Sequence, residues 1–159
     1  MLSTLLLSLA LLPSAQAGKL AEGFRGVPFG NPAPLATAPM EGCQKDPEPT
    51  VAWLCPTTIG TVPVSAAYLV DEGVFMGVFI QAKGWAEKVE LLATLKAAWG
   101  PGKDAAPRLE GFWIDGDVLA GMDYNRYSDA IQITISSKAA EDLVKRRKAV
   151  RVAGAAGDL

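Results

Sequence analysis

Residues 84–102, GWAEKVELLATLKAAWGPG, form the one long segment in which period, start and stop agree. Trp85, Val89, Leu92, Ala93 and Trp99 recur at helical spacing with Leu95 beside them, while Glu87, Glu90 and Thr94 fall opposite. The pattern predicts an amphipathic helix with its tryptophans turned inward. Gly100-Pro101-Gly102 ends it, since glycine accepts the left-handed cap and proline cannot continue the hydrogen-bond ladder. Lys88 at the margin of the apolar stripe and Lys96 near its middle interrupt the pattern. A long stem carries such a charge to water, which accounts for both, the alternative being an inward lysine that faces a carboxylate. On both sides the pattern changes to short β-type runs, so the helix is expected to lie across a sheet built from both halves of the chain.

Upstream, residues 66–70 and 74–82 read as a hairpin around Asp71-Glu72-Gly73. In its second strand Val74, Met76, Val78, Ile80 and Ala82 alternate with Phe75 and Phe79, the pattern of a central strand covered on both faces. Residues 51–55 and 58–64 are weaker strands, confined to short or edge pieces by Pro56 and Pro63. Downstream, residues 109–114, 117–125 and 130–136 make a meander around Asp115-Gly116 and the polar turn at 126–129, with Ile131, Ile133 and Ile135 alternating with polar residues. A second helix is expected over 137–150, acidic early and basic late in accord with the helix dipole. The expectation is a single α+β domain over residues 18–152, an antiparallel sheet of about six or seven strands with one long helix packed on a face and a C-terminal helix. Residues 153–159 are read as a frayed tail.

Residues 1–17 read as a secretory signal peptide: an apolar run over 5–12, a Pro13 break, and Ala15-Gln16-Ala17 as a small-x-small cleavage site. The run is well short of the roughly 20 apolar residues that cross a bilayer. No cysteine follows the cut, so lipid attachment is not expected. Export to the periplasm or the extracellular space makes Cys43 and Cys55 a disulfide pair, stapling a Pro-rich loop. Between them and the signal, Phe24, Val27 and Phe29 are apolar pegs, Phe24 and Phe29 being expected under the sheet. Asn31-Pro32 starts a short helical turn through Leu35.

Four pieces of the chain, GFRGVPFG (23–30), LKAAWGPG (95–102), FWIDGDVLAGMDYN (112–125) and IQITISS (131–137), resemble a group of small exported bacterial proteins. The shared pattern is G-F-R-G-x-P-[FW]-G, a helix ending in an aromatic residue with Gly-Pro, and W-x-x-G-D before two strands. The resemblance implies an exported α+β domain and carries no chemistry. The element order is also similar to that of beta-lactamase-inhibitor-like and outer-membrane-assembly lipoprotein domains, which bind other proteins; that likeness is topological.

The chain contains no histidine, which removes Ser-His-Asp, Cys-His and His-metal sites within it, and two cysteines cannot make a four-thiolate zinc site. A net charge of -2 gives no bulk attraction to nucleic acid. No cofactor or metal site is expected, and neither GPG nor GAAG has the setting of a phosphate loop. Three groups of residues remain. Glu110, Asp115, Asp117 and Asp123 are the carboxylates available to a hydrolase, although Asp115 and Asp117 flank a turn glycine and read as solvated hairpin residues. Of the aromatic residues, Trp85 and Trp99 are expected in the core, whereas Trp53, Trp113 and Tyr127 are candidates for a sugar- or peptide-binding surface. Lys145, Arg146, Arg147 and Lys148, with Arg151, form the one concentrated basic run, suited to an anionic envelope component or simply ending a surface helix. Taken together these residues imply a non-catalytic exported binding or envelope-associated module, its partner another envelope protein or an anionic envelope component; the alternative is a small extracytoplasmic hydrolase using paired carboxylates.

Overall fold

The structure, a computed structural model, describes residues 20–31, 42–45, 51–103 and 109–157. The expected signal peptide and the expected helical turn through Leu35 lie outside the described residues. The β-type runs assemble as β1 (Val51–Ile59), β2 (Val62–Asp71), β3 (Val74–Lys83), β4 (Leu109–Asp115), β5 (Val118–Asn125) and β6 (Ala130–Ser137). Helix α1 (Trp85–Trp99) follows β3 and helix α2 (Lys138–Gly157) follows β6. One six-stranded antiparallel sheet, ordered β1-β2-β3-β6-β5-β4, contains them all. Each half of the chain is therefore the same unit, a three-stranded meander followed by a helix, and the two units join where β3 meets β6.

That seam sets the register of the whole sheet. Val78, Ile80 and Ala82 face Ile135, Ile133 and Ile131 across it. Gly77 sits opposite Ser136, and a Cβ there would lie 2.1 Å from the Ile135 carbonyl oxygen, so the close approach requires glycine.

The two prolines interrupt less than expected. β1 runs unbroken through Pro56 because it is an edge strand, and Pro63 lies where β2 has β1 beside it but has not yet reached β3, whose pairing starts at Ser65–Gln81. The β2–β3 turn has positive φ at both Glu72 (49°) and Gly73 (68°), the primed turn whose twist matches the flanking strands. Just past it, Val70 pairs with Phe75 and Leu69 with Gly77, leaving Met76 as a bulge. The bulge breaks the expected alternation. Phe75, Val78 and Ile80 join the main core, while Val74 and Met76 pack with Ala140, Leu143 and Val144 of α2.

The main core lies between α1 and one sheet face. Tyr68, Phe75, Ile80, Leu91, Met122, Ile131 and Ile133 are all at most 1% exposed. Burial of each such side chain contributes about 1.5–3 kcal/mol. Phe24 and Phe29 tuck under the sheet as expected, Phe24 edge-on to Tyr68 (5.8 Å) and Phe29 stacked on Phe75 (5.2 Å). Cys43 and Cys55 are bonded (2.06 Å), and beside them Gln44 and Leu54 exchange both backbone hydrogen bonds (2.9 and 2.8 Å), covering part of the β1 edge.

Helix α1 forms where expected but is rotated. The inward residues are Lys88, Leu91 and Leu95, whereas Trp85 is 59% and Val89 51% exposed. Trp99 stays against the core, its ring edge-on to Trp113 at 5.6 Å. Helix α2 passes the expected end at Val150 and continues to Gly157. Among the described residues no helix is long and apolar enough to cross a membrane.

Candidate functional site

The rotation of α1 follows from an ion pair: Lys88 takes the inward position, where a carboxylate faces it. Leu109 pairs with Asp123 and Gly111 with Met122, so Glu110 is a bulge residue of β4. A bulge re-aims its side chain. Glu110 turns toward α1 and its carboxylate lies 2.7 Å from the Lys88 ammonium, with side-chain exposures of 33% and 9%. The same ammonium sits over the Trp85 ring, 4.3 Å from its centroid, and 5.8 Å from that of Tyr124. Trp85 and Tyr124 meet edge to face at 5.5 Å. Lys88 thus holds an exposed indole and a half-buried carboxylate in fixed positions at the rim of the sheet.

The β5–β6 turn closes the other side. The Asn125 side-chain oxygen accepts from the backbone N–H groups of Tyr127 (3.0 Å) and Ser128 (3.3 Å), an Asx turn that presents Arg126 and Tyr127 at its tip. Asp129, at φ 57°, accepts the Tyr124 hydroxyl (2.5 Å) on its side chain and the Gly84 N–H (2.9 Å) on its carbonyl. That carboxylate pushes the Tyr124 phenol above its ordinary pKa, chiefly by accepting its hydrogen bond. Gly84, at φ 117°, starts α1. A Cβ there would strike the Glu87 carboxylate, which folds back over it. Loop and helix start are therefore tied together.

Between them lies a groove of about 790 Å³, bordered by Trp85, Glu110, Asp123, Arg126 and Tyr127. Its size is that of a ligand cleft. Tyr127 is 90% exposed above it. A second cavity, of about 400 Å³, lies under the C-terminus of α1 against Trp99 and Trp113 and presents Asp115 and Lys103 as its charged groups.

The other expected site residues are dispersed. Trp113 is a core residue, 3% exposed, with its indole N–H donated to the Gly100 carbonyl (2.9 Å) where it fixes the end of α1. Trp53 is half-buried on β1, packed against the core. Asp115 accepts the Ala21 N–H (2.9 Å). Asp117 anchors α2: its carboxylate accepts the Ser137 hydroxyl (2.7 Å) and the Ala139 N–H (3.1 Å), which hold its pKa below the usual carboxylate value. Both sit at the opposite end of β4 and β5 from the groove. Only Glu110 and Asp123 of the four carboxylates border it.

The basic run is also occupied. Lys148 pairs with Asp71, Arg151 with Glu72 (2.6 Å), and Arg147 donates to the Glu72 carbonyl (2.6 Å). Lys145 pairs with Asp142 at 3.4 Å on the helix surface. Arg146 lies beside a shallow cavity near Phe29. Arg147, Lys148 and Arg151 thus clamp α2 to the β2–β3 hairpin, at the far end of the sheet from Tyr127.

Sequence reasoning passed over Trp85 and Lys88 as members of a site. The available signal was a lysine one turn after an aromatic residue, at the margin of the apolar stripe. Among the described residues no cluster of three or more acidic or thiol side chains is placed to hold a metal ion. No family model, no curated protein and no solved structure matches this chain.

Proposed function

We propose that the chain is a non-catalytic, exported binding or envelope-associated module of the kind represented by the small exported proteins it resembles, and that the rim groove is its ligand-contacting surface. The observation that carries the reading is the exposed Trp85 ring, held between Lys88 and Tyr124 beside a groove rather than buried. Exposing an indole gives up burial worth about 1.5–3 kcal/mol for a large apolar side chain. Fixing its orientation as well is what preorganised recognition requires.

Glu110 and Asp123 border the same groove, which keeps the hydrolase alternative in view. Glu110 is already engaged as the counterion of the buried Lys88 ammonium. The test is to titrate the isotope-labelled mature domain with components of the extracytoplasmic fraction and, in parallel, to assay chromogenic glycosides and esters with the Asp123→Asn variant as control. Shifts confined to Trp85, Arg126 and Tyr127 without turnover support the binding module. Turnover abolished by Asp123→Asn selects the hydrolase instead.

A further inference from the structure

Resting on the reading of the groove as a ligand surface, we infer that its ligand is a neutral, polyhydroxylated chain, that is, a carbohydrate. The two exposed rings at the groove, Trp85 at 59% and Tyr127 at 90% exposure, each already carry a protein cation: Lys88 lies 4.3 Å from the Trp85 centroid and Arg126 5.5 Å from that of Tyr127. A pocket for a cationic ligand keeps its ring faces vacant and its surroundings negative. Here a second cation meets Lys88 and Arg126. An anion fares no better, because Glu110 and Asp123 stand on the walls.

What these groups have in common is hydrogen-bonding capacity with little net charge. The carboxylates only accept and the guanidinium only donates; Asn125 spends its side-chain oxygen on the turn and offers an amide nitrogen that donates. Hydroxyl groups donate and accept, so one polyol satisfies all of these groups at once, whereas an apolar ligand leaves them unpaired and costs about 1–3 kcal/mol for each. The C–H-rich face of a pyranose matches the remaining indole surface, flat, apolar and immobilised by Tyr124. At about 790 Å³ the groove is large enough for more than one sugar ring, so a stretch of glycan fits better than a monosaccharide.

The experiment is a titration of the isotope-labelled protein with soluble glucan, mannan and N-acetylglucosamine tetramers, alongside pentalysine and tetraglutamate as charged controls. At least one tetrasaccharide is expected to shift the Trp85 indole N–H and the Tyr127 amide. Trp85→Ala should weaken that binding roughly tenfold or more, as loss of an aromatic anchor does, while Trp85→Tyr retains most of it. Tyr127→Ala, at a fully exposed tip, serves as the second variant should Trp85→Ala fold poorly. Shifts from pentalysine or tetraglutamate alone overturn the carbohydrate assignment and leave the groove reading standing. Silence at the groove toward every probe overturns both.

Discussion

The Lys88 ammonium, 9% exposed, and the Glu110 carboxylate, 33% exposed, lie 2.7 Å apart and join the helix of the first half of the chain to the first strand of the second. The pair is asymmetric, since one partner is shut in and the other retains access to water. Removing the carboxylate leaves a buried ammonium without its counterion, whereas removing the ammonium leaves a carboxylate that water can still solvate. Glu110→Gln is therefore expected to cost about 2 kcal/mol, somewhat less than the 3–5 of a fully buried pair. Lys88→Met should cost less than about 1 kcal/mol, because replacing a desolvated charge by an apolar side chain of similar length is close to neutral. Urea unfolding of the two variants reads the difference. Equal costs would mean that the pair is solvated.

Lys88→Met also removes the cation from the Trp85 ring. Fluorescence anisotropy of Trp85, in a background with Trp53, Trp99 and Trp113 replaced by phenylalanine, should show faster local motion of its indole. Ligand affinity at the groove should fall while global stability is nearly preserved. A loss of affinity that merely tracks a loss of stability would remove the positioning role given to Lys88.

Asp117 gives a pH signature. Its folded-state pKa is depressed, mainly by the Ser137 hydroxyl and then by the Ala139 N–H. A depressed carboxylate contributes stability above its unfolded pKa of about 3.9, and that contribution disappears as pH falls through the lower folded value. Asp117→Ala should cost about 1 kcal/mol near neutrality, as loss of a helix cap does. The group is solvent-exposed, which keeps the figure toward the low end. The difference in urea midpoint between wild type and variant should be flat above about pH 5 and should close below about pH 4; a difference independent of pH would show that the carboxylate's charge is immaterial.

How much of this was legible beforehand differs between fold and site. The hairpin turn at Glu72-Gly73, the isoleucine alternation in β6 and the helix stop at Gly100 are local signals, and each lies where the sequence places it, while the turn expected at Asp115-Gly116 falls one residue later, at Gly116-Asp117. The seam between β3 and β6 was not legible, because nothing local says which edges of two meanders will meet. The rotation of α1 was hidden for a related reason: Trp85 and Trp99 recur at core spacing, and Lys88 displaces Trp85 only because a bulge in β4, which the spacing within α1 does not encode, aims Glu110 at it.

The same limit applies to the basic run. Read along the chain, Lys145, Arg146, Arg147 and Lys148 suit either an anionic component or the plain end of a surface helix, yet Asp71 and Glu72 reach Lys148 and Arg151 from a hairpin far upstream. Each exposed pair is worth only about 0–1 kcal/mol. Asp71→Asn with Glu72→Gln should therefore lower stability by about 1 kcal/mol, raise amide exchange in the second half of α2, and expose cations to solution. Vesicles containing anionic lipid should bind the double variant in a salt-sensitive manner and bind the wild type more weakly. Equal binding by both would return the run to the status of an open anionic-ligand patch.

Gly77 provides the test of the seam itself. A methyl group at this position would lie 2.1 Å from the Ile135 carbonyl oxygen and 3.0 Å from the Ser136 Cα. Both are backbone atoms of a central strand, flanked by β5 on the other side and unable to yield as a flexible side chain does. Gly77→Ala should therefore cost at least the 1–3 kcal/mol typical of overpacking, despite the entropy that alanine saves in the unfolded chain. Gly154→Ala, where a Cβ meets nothing within 4 Å on α2, is the matched control and should be neutral to slightly stabilising. Thermal unfolding of the two variants side by side separates the strand contact from any general effect of glycine replacement, and a Gly77→Ala protein as stable as wild type would mean that β3 and β6 do not meet in this register.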